Sequence, residues 1–119
     1  MLVQQRRSWL PEPEPPADGT AGHFDMDKKS EEAAAFLKVL SHGGRLMILC
    51  HLAEGEKSVT ELEHLLGSRQ AAVSQQLARL RFEGLVSCRR EGKAIYYSIA
   101  DRRALGILDA VYALFCKPN

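Results

Sequence analysis

A chain of 119 residues supports one domain rather than two, and its 45% hydrophobic content is ordinary for a globular protein. The formal net charge of +1 excludes a uniformly basic nucleic-acid binder, but the charge is unevenly placed. From residue 69 to residue 93, Arg69, Arg79, Arg81, Arg89, Arg90 and Lys93 face only Glu83 and Glu91, while residues 54–63 are mostly acidic. A near-neutral protein with one basic surface can still attract phosphates.

Cys50, Cys88 and Cys116 are odd in number and lack framework spacing, so thiols are expected rather than structural bridges. No secretory signal is expected. Arg6 and Arg7 resemble a twin-arginine start, but a proline run replaces the apolar stretch that should follow. No segment is apolar enough to span a bilayer, and the expectation is a cytoplasmic protein without a membrane partner.

In chain order, residues 1–29 hold four of the five prolines in the stretch up to Asp27, with no apolar periodicity. A disordered Pro-rich tail is expected there, with Met26 offering an alternative translation start. The folded domain is expected over 30–119. Ser30 would cap a first helix carrying Ala33, Phe36, Leu37 and Leu40, and Gly43-Gly44 would break it. A second helix, Arg45 to Ala53, would bury Leu46, Leu49, Cys50 and Ala53, with Gly55 as its stop.

Ser58-Val-Thr-Glu61 reads as a capping box opening a third helix, Thr60 to Leu66. A turn at Gly67-Ser68 leads to a fourth, Arg69 to Phe82, which Gly84 ends. Residues 85–90 and 94–99 are strand-forming and flank a glycine-containing turn, a β-hairpin. Asp101 would cap a last helix running to Cys116, apolar on nearly every side and therefore in need of cover from a second subunit. The class is mainly α with a small hairpin wing: a winged helix-turn-helix, homodimeric through its terminal helices.

The chemistry lies in the fourth helix. Val73, Leu77 and Leu80 form the stripe that should face the core, which turns Gln70, Ala71, Ser74, Gln75 and Ala78 outward. Glutamine amides can bond adenine edges, serine hydroxyls can bond bases or phosphates, and alanine can touch a thymine methyl. Arg69, Arg79, Arg89, Arg90 and Lys93, with Ser68 in the turn, would hold the backbone of double-stranded operator DNA, or enter the minor groove from the wing. The competing account is an ordinary helix with a polar surface. Turn, helix and wing in the required order favour DNA.

Three blocks carry a family resemblance: Leu37-Lys-Val-Leu-Ser-His-Gly-Gly-Arg-Leu-Met-Ile-Leu49, Ala72-Val-Ser-Gln-Gln-Leu-Ala-Arg-Leu-Arg-Phe-Glu-Gly-Leu-Val86 and Gly92-Lys-Ala-Ile-Tyr-Tyr-Ser98. Over Ala33 to Cys116 the chain resembles the ArsR family of winged-helix repressors. The resemblance implies a homodimer on a two-fold operator, released by an inducer.

Two metal sites of that family can be tested. Where one uses a Cys-Val-Cys box, this chain has Ser58-Val59-Thr60, poor ligands for soft metals. At the other, only Asp101 among Asp101, Arg103, Leu114 and Lys117 is a ligand type, and a helix cap already explains it. No metal and no cofactor are expected. The pair Cys50 and Cys116 resembles the sulfide- and persulfide-responsive SqrR/BigR branch, in which cysteines at these places form the switch.

By that resemblance a low-molecular-weight persulfide would join Cys50 to Cys116 through a polysulfide link, releasing the DNA from sulfide-response genes. One of the two thiols would need a depressed pKa. A packing role is the rival account for Cys50, and Cys88 is read as an accidental thiol or a modifier of DNA affinity. The alternatives are the same repressor answering peroxide or other thiol oxidants, a small thiol enzyme, and a winged helix used for protein contacts. No catalytic residues are assigned.

Overall fold

The computed structural model describes residues 22–116. They fall into two units, one ending at Phe36 and one starting at Leu37. Helix α1, Gly22–Leu40, runs through both. It begins eight residues before the expected start, so residues 22–29 are helical, while the rest of the expected tail lies outside the described residues. Ser30 is inside the helix: its Oγ donates back to the Asp27 carbonyl at 3.2 Å instead of capping forward.

The first break falls at Ser41 and His42, not at Gly43-Gly44. Helix α2, Gly43–Ala53, takes both glycines into its first turn because His42 caps it, its Nδ1 accepting from the Gly44 and Arg45 amides at 3.1 and 3.4 Å. The buried stripe of α2 is correspondingly rotated. Ile48, Leu49 and Leu52 are buried, Cys50 and Leu46 are half-buried, and Ala53 is exposed.

Strand β1, Lys57–Ser58, is a two-residue element with no signature in the sequence. It leads into helix α3, Val59–Leu66, through the capping box: Ser58 Oγ accepts from the Glu61 amide at 3.0 Å, and Glu61 Oε1 accepts from the Ser58 amide at 2.8 Å. Gly67 ends α3 at φ 63°, a conformation costly for any residue with a Cβ. The Ser68 amide then reaches the Glu63 carbonyl at 3.3 Å, which fixes the direction of the turn.

Helix α4, Gln70–Phe82, follows, with Arg69 as its N-cap residue. Strands β2, Val86–Glu91, and β3, Ala94–Ile99, form the wing, and β1 pairs on the other edge of β3, giving the order β1-β3-β2, all antiparallel. Gly92 and Lys93 make the two-residue turn. Helix α5, Arg102–Val111, is capped by Asp101, whose Oδ1 accepts from the Arg103 amide at 2.9 Å. The chain then widens into a π-helical turn, Tyr112–Cys116, instead of continuing as α-helix.

The core of the second unit collects one face from every helix. Val39 and Leu40, the α2 trio, Leu62, Val73, Leu77, Leu80, Leu85, Val86, Ala104 and Leu108 are all buried. The stripe expected on α4 is therefore the inward one. This is the winged helix-turn-helix architecture read from the sequence, with a third strand added.

Candidate nucleic-acid interface and thiol pair

Helix α4 is anchored from beneath by Val73, Leu77 and Leu80, and this sets the opposite side outward. Ala71, Ser74, Gln75 and Ala78 are exposed at three- and four-residue spacings, so they share one face. Gln70 begins the helix, and Ser68 and Arg69 are exposed in the turn before it. The N-terminal part of α4 thus presents small and amide side chains beside a turn bearing a cation.

The basic residues separate into two groups. Arg69, Arg90 and Lys93 are exposed and make no ion pair among the described residues. Arg79 and Arg89 are engaged. Arg79 Nε meets Glu83 Oε2 at 3.0 Å along the helix. Arg89 donates to both carboxylate oxygens of Glu56 at 2.7 and 2.8 Å and to Glu91 at 2.9 Å, and its guanidinium lies 4.8 Å from the centre of the Tyr96 ring.

The Arg89 hydrogen bond holds the Glu56 carboxyl below the usual carboxylate range. In the free chain Arg89 therefore braces the wing against the loop after α2. Nothing in the sequence pointed to Glu56, because its partner lies 33 residues away.

Two of the three thiols lie on α2 and on the continuation of α5. Helices α2 and α5 pack against each other, with Cys50 on the first and Cys116 at the end of the turn that extends the second. All three cysteines are free; Cys50 and Cys88 are half-buried and Cys116 is exposed. Burial pushes the Cys50 thiol up, and the negative charges of Cys116 and Glu54 push it further. Within one chain, then, the charges of Cys116 and Glu54 both disfavour ionisation of Cys50.

The depressed pKa expected of one thiol in the pair is not found at Cys50, where burial and nearby negative charge act in the opposite direction. Cys88 sits opposite Tyr97 in the wing, on β2. Among the described residues no three His, Cys, Asp or Glu side chains gather as a metal site.

Comparison with known proteins fits this geometry. Residues 42–87 match the family described as bacterial regulatory protein, arsR family. A biofilm growth-associated repressor of Agrobacterium fabrum is 50% identical over 79% of this chain and 80% of its own length. The chain belongs to the arsR family.

Among solved structures, the transcriptional repressor BigR of Xylella fastidiosa is similar at a TM-score of 0.77 and 45% identity, covering 81% of this chain and 98% of that one. Reduced HlyU of Vibrio cholerae follows at 0.73 and 36% identity, covering 78% and 98%. These relatives are transcriptional regulators and not enzymes, so the thiol-enzyme alternative falls. An arsR-family chain with this fold is a DNA-binding regulator, and the outward face of α4 with the wing is where such a fold meets the duplex.

Proposed function

We propose that this arsR-family protein is a transcriptional repressor that binds operator DNA as a reduced homodimer and leaves it when a persulfide joins Cys50 to Cys116. The observation that carries the reading is the packing of α2, which holds the free thiol of Cys50, against α5, whose continuation ends in the free thiol of Cys116. Similarity to repressors named for biofilm growth supports the direction of control. The homodimer is supported by the apolar side chains left exposed at the C-terminal turn, Tyr112, Leu114 and Phe115.

The exposed Cys116 is the sulfur that meets the inducer first, since Cys50 resists ionisation. The Cys116 thiolate attacks the outer sulfur of R–S–SH, giving Cys116–S–SH and a thiolate RS⁻. A second persulfide extends this to Cys116–S–S–SH. The Cys50 thiolate then attacks the middle sulfur, expelling hydrosulfide and closing a trisulfide. Overall, two persulfides and two protein thiols give the trisulfide, two thiols RSH and one hydrogen sulfide, so the persulfide is itself the oxidant. A link with an added sulfur spans distances that the narrow geometry of a disulfide does not.

Joining α2 to the end of α5 biases the spacing of the paired α4 helices. Allosteric couplings of about 1–3 kcal/mol, roughly 5–150-fold in affinity, are enough for release. The contacts proposed for DNA are Gln70, Ala71, Ser74 and Gln75 on base edges, with Ser68, Arg69, Arg79, Arg90, Lys93 and Arg89 on the backbone. For Arg79 and Arg89 this requires exchange of a carboxylate partner for a phosphate.

The test is operator titration of wild type, Cys50→Ser and Cys116→Ser, each reduced, persulfide-treated or peroxide-treated, followed by intact mass. Both variants are expected to bind when reduced and to stay bound after persulfide. Wild type should gain sulfur while losing two hydrogens. Release of both single variants by persulfide would end the two-thiol account. Release of wild type by peroxide with loss of two hydrogens alone would favour an oxidant sensor.

A further inference from the structure

The contact between α2 and the recognition helix α4 holds a polar bracket that none of the expected site residues includes. Arg45, in the first turn of α2, donates from Nε to the Val39 carbonyl at the end of α1 at 2.7 Å. The same guanidinium donates from Nη1 to Gln76 Oε1 on α4 at 3.1 Å. One planar, always-charged group therefore ties the last turn of α1, the start of α2 and the middle of α4. Both of its bonds are partly buried, where an acceptor lost is costly.

Gln76 is half-buried and lies between Gln75, on the outward face, and Leu77, fully in the core. Its amide therefore reports how α4 is rotated about its own axis. The orientation of that amide is decided by Arg45. His42 stands on the other side, with Nε2 3.4 Å from Gln76 Nε2. Since His42 Nδ1 accepts the Gly44 and Arg45 amides, a neutral ring carries its proton on Nε2. Two donors then face each other, and no bond forms between them. Among the described residues, the Arg45 bond is then what holds the amide in place.

The bracket also needs a small residue beside it. A Cβ at Gly44 would lie 3.1 Å from His42 Cε1 and 3.9 Å from Gln76 Cγ. The first turn of α2 is thus built to let a capping imidazole and a guanidinium reach α4 side by side.

We infer that Arg45, acting through Gln76, is the positioning residue that fixes the rotation of the recognition helix on α2 and so sets which operator half-site spacing the protein accepts. The inference rests on operator binding by the arsR-family fold and not on the thiol switch. A rigid α4 reads two half-sites only at the separation its anchoring allows, whereas a loosened one tolerates a shifted partner site. Arg45 touches no base in this account; it acts through Gln76.

The probe is a duplex enriched from a random library on reduced wild-type protein, with versions whose centre is lengthened or shortened by one base pair. Wild type is expected to lose about fivefold or more on each shifted duplex, a loss on the scale of a mismatched base pair. Gln76→Leu, which keeps comparable bulk and removes the acceptor, should lose less than about threefold on both. Gln76→Glu keeps the bond to Arg45 and offers His42 Nε2 an acceptor, so it should restore the wild-type profile.

Arg45→Lys, with one donor group for two separated acceptors, should behave as Gln76→Leu and carries the test should that variant fail to fold. An unchanged spacing profile in Gln76→Leu and Arg45→Lys overturns the inference. So does an equal loss of affinity on all three duplexes, or a Gln76→Glu protein that behaves like the leucine variant. Each of these readings is made on reduced protein and is independent of persulfide.

Discussion

Helix α4 and the α5 segment with its π-helical turn are both rich in apolar residues, and they use them differently. On α4, Val73, Leu77 and Leu80 are consumed by the protomer's own core, and the exposed side is small, polar or charged except for Phe82 near its end. On the terminal segment, Ala104 and Leu108 satisfy the core, while Tyr112, Leu114 and Phe115 are left out, Phe115 at 80% exposure. Apart from Phe82, at 85% exposure, the first region is complete in one chain. The second exposes apolar area that a monomer gains nothing from, and a partner subunit is what such a surface fits.

Matched truncations would break that comparison most directly. Leu77→Ala is expected to cost about 2–5 kcal/mol of unfolding free energy, because the site is fully enclosed and leaves a cavity. Phe115→Ala removes a larger side chain, yet at concentrations where the chain is monomeric it should change stability by no more than about 0.5 kcal/mol. Its effect should instead appear as a weaker dependence of the melting midpoint on protein concentration. Equal losses in the two variants would mean that the terminal segment is core.

A smaller effect sharpens the boundary between the two regions. Asp101 caps α5, and Arg103 holds its carboxyl below the usual range through side-chain hydrogen bonds. Asp101→Ala should cost about 1 kcal/mol at neutral pH. A lowered folded pKa means the contribution is present above the unfolded carboxylate value and disappears as pH falls through the folded one. Denaturant melts from about pH 6 down to acid, near the unfolded carboxylate value of about 3.9 and below, should show wild type and Asp101→Asn converging at the acid end.

The smallest effect concerns the wing. Glu56→Gln removes one of the two carboxylates on Arg89, which frees a guanidinium for phosphate. Tighter binding to any duplex at low salt is expected, with the salt slope steeper by about 1. An unchanged slope would mean that Arg89 remains a brace of the wing on DNA as well.

Much of the local structure was legible because short-range chemistry decides it. The capping box at Ser58 and Glu61, the left-handed Gly67 and the stripe of Val73, Leu77 and Leu80 each involve residues within one or two helical turns. The errors also have local causes. Ser30 has a hydroxyl that serves an N-cap or a bond to a preceding carbonyl equally well, and the structure uses the second. Two adjacent glycines suggested a break, but an imidazole cap one residue earlier outweighed their propensity. The stripe of α2 was misjudged by about one position because nearly every residue of Leu46 to Leu52 is apolar, and periodicity then says little about direction.

The long-range features had no sequence signal at all. Strand β1 exists because β3 offers it an edge, Tyr97 opposite Lys57 and Tyr96 opposite Ser58. Glu56 and Arg89, or Arg45 and Gln76, are separated by about thirty residues, and charge or amide character says nothing about which pairs will meet. The family resemblance named Cys50 and Cys116, but the state of Cys50 came from its surroundings. Partial burial pushes the Cys50 thiol up, and the charges of Cys116 and Glu54 push it further.

By itself the sequence determined the elements, their order and the side of α4 that turns outward, since helical and strand periods bind residues a few positions apart. Only the tertiary structure decided which cations are already engaged, which amide is pinned and which thiol resists ionisation. Those properties depend on distances between segments far apart in the chain, set by how the helices close over a common core.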